Sequence, residues 1–568
     1  MKKVRLRIFL MCIAMMLAAS PAFAQTIITK SNTNLNTASG FYRVESSNLS
    51  PFSATNLALS TLRSISVTFA NAGNCEGIVF ALVSDNASND RSVLVQLKQS
   101  GTVRATVTLT SDQIDDGASN SLNTTYIVPF IFTAPYAVTT AASTWTFEIS
   151  QTGGTVGNWS VRTSNATAPF YATWCQNAVT FANNDTVIAK DVLTINTSAT
   201  MVGILGTGET VRAPALIICK GTTLAPDNVV WTDAPAASYT LTINGVVLMG
   251  AHSGFRVGTS AAPIPIAQKA VISFASPTVG TTCGFFDPEA VTAANAGRKM
   301  NFYLYGETPS YPSTTLSSQA AFNQKIINTT DATGWAVNDY IWVGGYDGTG
   351  VGDTTYHQIG AISGTQITTV ANLLTANRRS GHPVINLSRR GIRVEGLGAT
   401  AALRPYMTLK FPSNFEVQGV EFKNTNGFSL SASAAGVSYE DPDNQDQWLL
   451  KDSTYYNDIP AAATTYLLLA PTAPIKGFLI DGNYLARAAL FSTLFASSGL
   501  AANSGVYTIE NNILLSNGTG ANGTTSNTAG AKWEITGNIF ENQAAISLLL
   551  KGTDCIFTNN KFWGNSVT

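Results

Sequence analysis

Charged residues are scarce in this chain. Asp, Glu, Lys and Arg make up 12% of its 568 residues, about half the usual share of a globular protein. The formal net charge is only −1, and the one dense basic cluster beyond the N-terminus is Arg389, Arg390 and Arg393. Binding to phosphate backbones needs clustered positive charge, so the composition argues against nucleic acid as a partner.

Several common site signatures are also missing. The chain has three histidines, His252, His357 and His382, and none has the spacing of a helical metal-binding pair. There is no CxxC pair, no phosphate-binding glycine loop and no nucleophile elbow. These absences argue against zinc, nucleotide and serine-hydrolase sites of the usual kind.

Long apolar runs are absent except near the N-terminus. Residues 1–24 begin with four basic side chains, continue through the apolar stretch 8–19 and end at Ala22-Phe23-Ala24. This order is typical of a secretory signal peptide, and the run is shorter than the roughly 18–20 residues of a membrane span. We therefore predict a protein with no membrane span that is secreted to the extracellular space, the cell surface or the periplasm, with a mature chain beginning near Gln25.

Cysteine is infrequent and odd in number after the signal peptide. The five residues are Cys75, Cys175, Cys219, Cys283 and Cys555. Disulfides persist in the predicted compartment. Position along the chain favours Cys75 with Cys175 and Cys219 with Cys283, although the connectivity stays open because roughly 15 arrangements of two disulfides are possible.

Short apolar runs separated by turn residues fill the first part of the mature chain. Residues 25–178 show several such runs without helical periodicity, which predicts a β-sandwich or jelly roll. Four aromatic residues cluster near the end of this segment: Trp145, Trp159, Tyr171 and Trp174. They favour a buried core over a sugar-stacking face, because large aromatic residues of β-sandwiches are usually interior.

A family resemblance covers about residues 190–400. The segment Leu241–Phe274, with its FRVGT phrase, is followed by GWAVNDYIWVGG, which ends at Gly345, and by PVINLSRRGIRVEG from Pro383. This order resembles the eight-glycine module of cell-surface proteins and of the cell-migration-inducing hyaluronidases. The resemblance implies a β-rich module at residues 179–390 that leads into a β-helix and a role in polysaccharide contact.

An internal repeat marks the last part of the chain. The six aligned segments are IRVEGLGA from Ile392, FEVQGVEF from Phe415, FLIDGNYL from Phe478, YTIENNIL from Tyr507, WEITGNIF from Trp533 and CIFTNNKF from Cys555. One short strand per repeat at this period predicts a stacked solenoid. We therefore predict an all-β protein, in which a right-handed parallel β-helix at residues 391–568 follows the sandwich and carries a flank insertion at 427–474.

Polar residues recur at fixed positions of the repeat. Gly419, Gly482, Asn511, Gly537 and Asn559 occupy a predicted corner, since these residue types tolerate positive φ. The asparagines that follow are Asn483, Asn512, Asn538 and Asn560. In a dry interior their amides must pair with each other or with the backbone, which predicts an asparagine ladder.

Candidate functional residues fall into an acidic group and a basic group. The run EDPDNQDQW supplies Asp441, Asp443 and Asp446, whose spacing suits Ca²⁺, acid catalysis or a solvated loop. No other cofactor is predicted. Asp481 and Glu510 occupy equivalent outward positions on neighbouring coils, about 4.8 Å apart, and form either a proton-sharing pair or an exposed ridge.

Arginines supply the basic group. Arg389, Arg390 and Arg487 are candidates, with Glu510, for holding an acidic sugar, or they are ordinary salt-bridge partners. For catalysis the candidates are Asp441, Asp443 and Asp481. A glycosidase needs two carboxylates about 5–10 Å apart, and a lyase needs a base near an acidic sugar carbon.

Three functions remain open on this basis. They are polysaccharide binding without turnover, polysaccharide hydrolysis or elimination by a hyaluronidase-like enzyme, and a structural adhesin or fibre module. The last repeat ends at Phe562, with too few residues after it for a capping unit. We therefore expect a further chain segment or another subunit to cover the terminal coil.

Overall fold

The structure is a computed structural model that describes residues 25–563 with gaps. The gaps are residues 32, 38, 50–51, 87–88, 116–124, 141–143, 165–167, 204–213, 222–227, 234, 276–282, 287–299, 346–355, 372–376, 399–403, 406, 411, 426–427, 433–447, 457–466, 472–476, 489–494, 498–505, 517–531 and 542–553. The predicted signal peptide lies outside the described residues.

Thirteen strands and one short helix form the N-terminal part. They are β1 Thr26–Thr29, β2 Thr33–Asn34, β3 Phe41–Asn48, β4 Phe52–Ala58, β5 Arg63–Val67, β6 Gly73–Ser84, β7 Ser92–Gln99, β8 Thr102–Leu109, α1 Ser111–Asp115, β9 Thr125–Val138, β10 Trp145–Thr152, β11 Trp159–Ser164, β12 Ala168–Pro169 and β13 Tyr171–Val179.

Two antiparallel sheets of this part enclose a shared core. One has the order β5-β10-β7-β8, and the other contains β3, β4, β6, β9, β11, β12 and β13. The rings of Phe132 and Phe147 stack across the core at 6.2 Å. Trp145, Trp159 and Trp174 are buried, which confirms the core interpretation for these tryptophans. The two sheets thus form two layers around one core. A β-sandwich domain with the bounds 25–178 and a jelly-roll topology stay predictions.

The remaining strands include two series that belong to a solenoid. The first series is β14 Thr186–Ala189, β15 Leu193–Ile195, β16 Ala199–Val202, β17 Pro214–Ile218, β18 Val229–Trp231, β19 Tyr239–Asn244, β20 Val246–Met249, β21 Gly254–Val257, β22 Ala270–Ala275, β23 Gly284–Phe286 and β24 Met300–Tyr305, with a 3₁₀ turn at Ile266–Gln268.

An inserted group of six strands follows β24. They are β25 Ser313–Thr315, β26 Ile326–Asn328, β27 Tyr340–Val343, β28 His357–Ser363, β29 Gln366–Thr369 and β30 Pro383–Asn386.

The second solenoid series then runs to the end of the described chain. It comprises β31 Ile392–Gly396, β32 Met407–Lys410, β33 Pro412–Gln418, β34 Val420–Lys423, β35 Phe428–Ala432, β36 Trp448–Lys451, β37 Thr454–Tyr456, β38 Leu467–Pro471, β39 Gly477–Asp481, β40 Tyr484–Ala488, β41 Phe495–Ser497, β42 Val506–Glu510, β43 Ile513–Ser516, β44 Lys532–Thr536, β45 Ile539–Glu541, β46 Asp554–Thr558 and β47 Lys561–Trp563.

Three parallel sheets form the walls of the solenoid. Sheet 1 has the order β14-β17-β20-β23-β32-β35-β38-β41, sheet 2 has β2-β15-β18-β21-β24-β33-β36-β39-β42-β44-β46, and sheet 3 has β16-β19-β22-β31-β34-β37-β40-β43-β45-β47. Successive strands of most coils visit the three sheets in turn, which defines a parallel β-helix. Its right-handedness stays a prediction, based on the usual hand of parallel crossovers.

The β-helix and the sandwich share a continuous sheet. Strand β1 pairs antiparallel with β3 of the sandwich and parallel with β14 of the β-helix. The coils therefore begin well before residue 391, and residues 179–390 contribute to the same three walls. Strand β22 pairs directly with β31, and β24 with β33.

The inserted strands form a separate antiparallel sheet that lies on sheet 3. Trp342 and Ile385 of this inserted sheet pack against Tyr456, Tyr484 and Ile513 of the β-helix. The insertion interrupts one coil, because its flanking strands β24 and β31 belong to sheets 2 and 3. It therefore covers the outward face of sheet 3 at β37, β40 and β43.

One of the predicted repeat alignments is wrong. Val394 pairs with Phe422, whereas Val417 pairs with Leu450. The IRVEG segment lies in sheet 3 and the FEVQG segment lies in sheet 2. The two were aligned as repeats because each coil contains more than one apolar strand of similar pattern. The later alignment is confirmed by the pairs Ile480–Ile509, Ile509–Ile535 and Ile535–Phe557.

A repeat was missed inside the predicted flank insertion. Residues 448–456, WLLKDSTYY, form β36 and β37 and align Leu450 with Ile480. Ser453 takes the place of the ladder asparagine, and its amide N–H donates to Asn483 Oδ1 at 3.0 Å. The described parts of the segment 427–474 therefore contribute to a coil, and its residues 427, 433–447, 457–466 and 472–474 lie outside the described structure.

The asparagine ladder is confirmed in geometry and chemistry. Each Nδ2 from Asn483 to Asn538 donates to the Oδ1 of the next asparagine at 3.0 Å, ending on Asn560. Each of these amides also donates to a backbone carbonyl at 2.8 Å. The preceding corner residues all have positive φ, as predicted: Gly419, Gly482, Asn511, Gly537 and Asn559.

Two of the predicted disulfide partners cannot meet in this fold. Cys219 follows β17 and Cys283 precedes β23, and β20 lies between these strands. Two strand spacings separate them by at least about 9.5 Å, whereas a disulfide needs Cα atoms within about 7 Å. The predicted Cys219–Cys283 pair is therefore wrong.

Two further findings concern the predicted lack of a membrane span and the predicted coverage of the last coil. Within the described ranges no helix is long and apolar enough to cross a membrane. At the last described coil the side chains of Phe557 and Phe562 are each 44% exposed. Coverage of this coil by a further segment or subunit stays a prediction.

Candidate functional site

Polar side chains form a column on the outward face of sheet 2. Register pairing aligns Tyr305 with Gln418, Gln418 with Lys451, Lys451 with Asp481, and Asp481 with Glu510. Their neighbours along each strand, such as Leu304, Leu450 and Ile480, point into the core. The period-2 alternation of a strand thus places these five residues on one wall, and we call them the outward column.

The centre of the column is an ion pair. Lys451 Nζ lies 3.0 Å from Asp481 Oδ2, and both side chains are partly exposed. Asn511 Nδ2 donates to the other oxygen, Asp481 Oδ1, at 3.1 Å. The hydrogen bond to Asp481 is the main reason why the pKa of Lys451 is raised. The Asp481 carboxylate therefore has a defined orientation on the surface.

Asp452 lies beside this pair at the corner between sheets 2 and 3. Its φ of 49° is in the left-handed region, which Asp and Asn tolerate better than most residues. Burial raises the pKa of Asp452, the cations Lys451 and Arg390 oppose this shift, and Asp481 adds to it. Asp452 and Asp481 thus stand in different electrostatic surroundings on consecutive coils.

Glu510 lies one coil beyond Asp481, which confirms the predicted neighbourhood of these two carboxylates. In the described part of the chain no ion pair to Glu510 is found. The site therefore combines one cation, a paired carboxylate, a carboxyl with raised pKa and a further acidic side chain. Such a group can donate and accept hydrogen bonds to sugar hydroxyls.

The arginine candidates lie on the other side of the corner. Arg390 is fully buried, and its Nε donates to the Asp452 carbonyl at 2.7 Å. Its guanidinium also stacks over the Tyr484 ring at 5.7 Å. Arg389 Nη1 lies 3.7 Å from Asp339 Oδ2 of the inserted sheet. Arg390 thus supports the corner from inside, where a surface polysaccharide does not reach it.

The structure describes the other predicted candidates only in part or not at all. Arg487 belongs to β40 in sheet 3. Asp441, Asp443 and Asp446 lie outside the described residues, so the calcium and catalytic hypotheses for them stay predictions. Sequence reasoning missed the roles of Lys451 and Asp452 in this cluster, because Ser453 replaced the expected ladder asparagine. The available signal was the run Lys451-Asp452-Ser453 after an apolar strand, which matches Asp481-Gly482-Asn483 of the next repeat in position.

An aromatic pair extends the same face toward the N-terminal coils. The rings of Tyr303 and Tyr305 stack at 6.0 Å with 16° between their planes. Tyr305 Oη donates to Glu416, which is also the register partner of Tyr303. One wall of the β-helix therefore carries aromatic, acidic and basic side chains along its axis.

Comparison with known proteins does not show a family. No protein-family model matches the chain, and no curated protein matches it. The resemblance to the eight-glycine module therefore stays a prediction.

Three solved structures illustrate the structural similarities. The Gp54 tailspike of Acinetobacter baumannii bacteriophage AP22, in complex with A. baumannii capsular saccharide, is 10% identical with a TM-score of 0.17, covering 59% of this chain and 53% of that chain. The Agl-KA catalytic domain is 10% identical with a TM-score of 0.19, covering 94% and 84%. The catalytic unit of a GH87 alpha-1,3-glucanase from Streptomyces thermodiastaticus is 11% identical with a TM-score of 0.17, covering 96% and 94%.

These similarities are too weak to assign an activity. The chain spans about half the length of the tailspike. Since the TM-scores lie between 0.17 and 0.19, the molecules do not superpose as wholes. Any function for this chain has to be argued from its own surface.

Proposed function

We propose that this is a secreted or cell-surface β-helix protein that binds polysaccharide along the outward face of sheet 2. The outward column is the observation that carries the proposal. Its rows repeat at about 4.8 Å along the helix axis, so a linear polymer lying along this wall meets a new polar side chain at each coil. Binding needs no turnover.

The chemistry of the column suits sugars. Lys451 donates hydrogen bonds, while Asp481 and Glu510 accept them. Tyr303 is partly exposed and stacks on the buried ring of Tyr305. Its ring offers an apolar surface with a polar tip, which is a common partner for ring-shaped ligands. The presence of both charge signs is compatible with neutral and acidic glycans.

A glycan array with residues 25–568 tests the proposal. We expect binding to at least one polysaccharide, and at least about tenfold weaker binding for the double variant Lys451→Ala/Asp481→Asn, equivalent to a loss of about 1.4 kcal/mol. The matched control is Lys98→Ala/Glu148→Gln, which removes a similar ion pair of 2.6 Å from the sandwich. No binding to neutral and acidic polysaccharides, or equal losses for the two double variants, would contradict the proposal.

A second candidate function is polysaccharide hydrolysis or elimination at the same corner. It is favoured by the raised pKa of Asp452 beside the Lys451-paired Asp481. Enzymes that cleave glycosidic bonds use one protonated carboxyl as acid and one carboxylate as base or nucleophile. In this hypothesis Asp452 is the acid and Asp481 the base, and Asp452→Asn abolishes the release of reducing sugar or unsaturated uronate. Turnover that survives in Asp452→Asn rules out this assignment.

The Asp452 carboxyl gives the stability of the wild type a predicted pH dependence that Asp452→Asn lacks. Because the folded protein raises the pKa of Asp452, the proton contributes stability below the ordinary value of 3.8, and this contribution is lost as pH rises through the folded value. We therefore expect the Tm of the wild type to fall, relative to Asp452→Asn, as pH rises above 3.8. Asparagine suits the positive φ at this position, so the backbone is not strained.

Asp90 in the sandwich provides a control, because its pKa is shifted in the opposite direction to that of Asp452. Hydrogen bonds from the Val156 and Thr155 backbone lower the pKa of Asp90. Asp90→Asn should therefore remove stability that is present above the ordinary pKa and lost toward low pH. Thermal unfolding of the wild type, Asp452→Asn and Asp90→Asn at a series of pH values checks the direction of both pH effects. Parallel curves of Tm against pH for the wild type and Asp452→Asn would disprove the effect predicted for Asp452.

A further inference from the structure

Two buried cysteines lie opposite each other in the N-terminal sandwich. Cys75 of β6 and Cys175 of β13 are register partners in an antiparallel pair, although they are far apart in sequence. Both side chains are fully buried in the same core between the two sheets. The chain therefore folds so that these two thiols meet in an apolar environment.

The local geometry lies in the range that a disulfide requires. Opposite residues of antiparallel strands have Cα atoms about 4.5–5.5 Å apart, and disulfides usually bridge Cα distances of about 4.4–6.8 Å. A register shift occurs between Trp174 and Cys175. This shift skips Glu76 and brings Cys75 opposite Cys175. Strand alternation places Trp174 in a different apolar cluster, while Cys175 faces the core that contains Cys75.

Electrostatics supports direct contact of the two thiols. The pKa of Cys175 is raised, first because its thiol is hydrogen-bonded to Cys75 and second because it is buried. Burial also raises the pKa of Cys283, to about 12, and that of Cys219. The strand order keeps these two cysteines apart from each other, because β20 lies between β17 and β23.

We propose that Cys75 and Cys175 form a disulfide that joins β6 to β13. The two thiols together lose two protons and two electrons, and a disulfide-carrying oxidant, such as a protein disulfide donor or oxidised glutathione, is reduced to two thiols. Because both sulfur atoms are buried in the fold, the exchange takes place while the strands are pairing. The finished bond is then shielded from external reductants.

The proposal is independent of polysaccharide binding. It concerns the sandwich, whereas the outward column lies on the β-helix wall. The bond closes a loop of about 100 residues, for which chain-entropy arguments give a large stabilisation of the folded state. It would therefore hold together the central strands of the sheet that continues into the β-helix.

Peptide mapping of the full chain, exported to the periplasm of a bacterial host, tests the proposal directly. The protein is denatured in iodoacetamide without reductant and then digested. We expect one cross-linked peptide pair containing Cys75 and Cys175, two hydrogen masses lighter than the sum of the free peptides, with alkylated Cys219, Cys283 and Cys555. Alkylation of both Cys75 and Cys175, or a link from either to another cysteine, would overturn the proposal.

Thermal unfolding gives a second measurement on the same protein. Protein refolded in dithiothreitol is expected to have a Tm about 10 °C lower than the oxidised protein. The double variant Cys75→Ala/Cys175→Ala should show no difference between the two conditions, whereas Cys219→Ala, the matched buried thiol, should keep it. An equal Tm of oxidised and reduced wild type would contradict a stabilising bond.

Discussion

Replacement of Glu421 by Gln is expected to lower the free energy of unfolding by about 3–5 kcal/mol, because it breaks a buried ionic cluster. Glu421 lies on β34, beneath the inserted sheet, and is fully buried. Its Oε2 is 2.7 Å from Lys269 Nζ and 2.9 Å from Arg393 Nε, and its Oε1 accepts a hydrogen bond from Tyr456. Loss of this carboxylate leaves two cations without their central partner.

The protonation state of Glu421 follows from the same contacts. Burial alone would raise the pKa of Glu421, but Lys269 and Arg393 outweigh burial and hold it below the ordinary value of 4.5. Stability from this carboxylate is therefore present above pH 4.5 and is lost as pH falls through the lowered value. The inserted sheet also depends on the cluster, because Lys269 Nζ donates to the Ser388 carbonyl at 2.5 Å.

Urea or thermal unfolding at neutral pH measures the effect. The matched control is Glu395→Gln, at the edge of the cluster, where the carboxylate is 3.7 Å from Arg393 Nη1 and partly exposed. For such a pair we expect a loss of only about 0–1 kcal/mol. Similar losses for the two variants would mean that burial of the cluster does not set its energetic importance.

Replacement of Asn512 by Ala is expected to cost about 2–6 kcal/mol. Asn512 Oδ1 accepts hydrogen bonds from both the backbone N–H and the side-chain amide of Asn483, at 2.8 and 3.0 Å. The variant leaves these two buried donors unpaired, and each costs about 1–3 kcal/mol. The Ile480 carbonyl also loses its bond from Asn512 Nδ2.

Two further variants separate hydrogen bonding from volume. Asn512→Asp keeps the size but turns a donor toward Asn538 Oδ1 and the Ile480 carbonyl into an acceptor, so it should also destabilise the fold. Asn414→Ala removes a partly buried amide contact of 2.9 Å to Asn301 on the same sheet, for which we expect a loss of about 1 kcal/mol or less. Equal unfolding free energies for Asn512→Ala and Asn414→Ala would contradict the role assigned to the ladder.

The repeats could be predicted in detail where their chemistry was uniform. Ile480, Ile509, Ile535 and Phe557 stack as aligned, because apolar alternation and a corner residue that accepts positive φ recur in each segment. The prediction was wrong for Ile392–Gly396, since an apolar strand of similar pattern occurs on another wall of the same coil. The spacing of 23 residues to Val417 was therefore not the length of a coil.

The candidate site was only partly predictable. Asp481 and Glu510 lie on adjacent coils, as their equivalent repeat positions required. Lys451 and Asp452 were assigned to a flank loop, because Ser453 hides their repeat. Arg390, which was predicted to hold an acidic sugar, is buried under the inserted sheet. Nothing in the RRGIR pattern distinguishes an interior arginine from a surface one.

The sequence by itself determined the β-class of the protein, the asparagine ladder and the positive-φ corners. These features follow from local requirements, since a strand alternates its side chains, a sharp corner needs Gly or Asn, and a buried amide needs a partner. Only the tertiary structure decided which wall each strand joins, how the inserted sheet covers sheet 3, and that Cys75 meets Cys175 while Cys219 does not meet Cys283. These outcomes depend on the path of the chain through connections of unequal length, and residue periodicity does not encode that path.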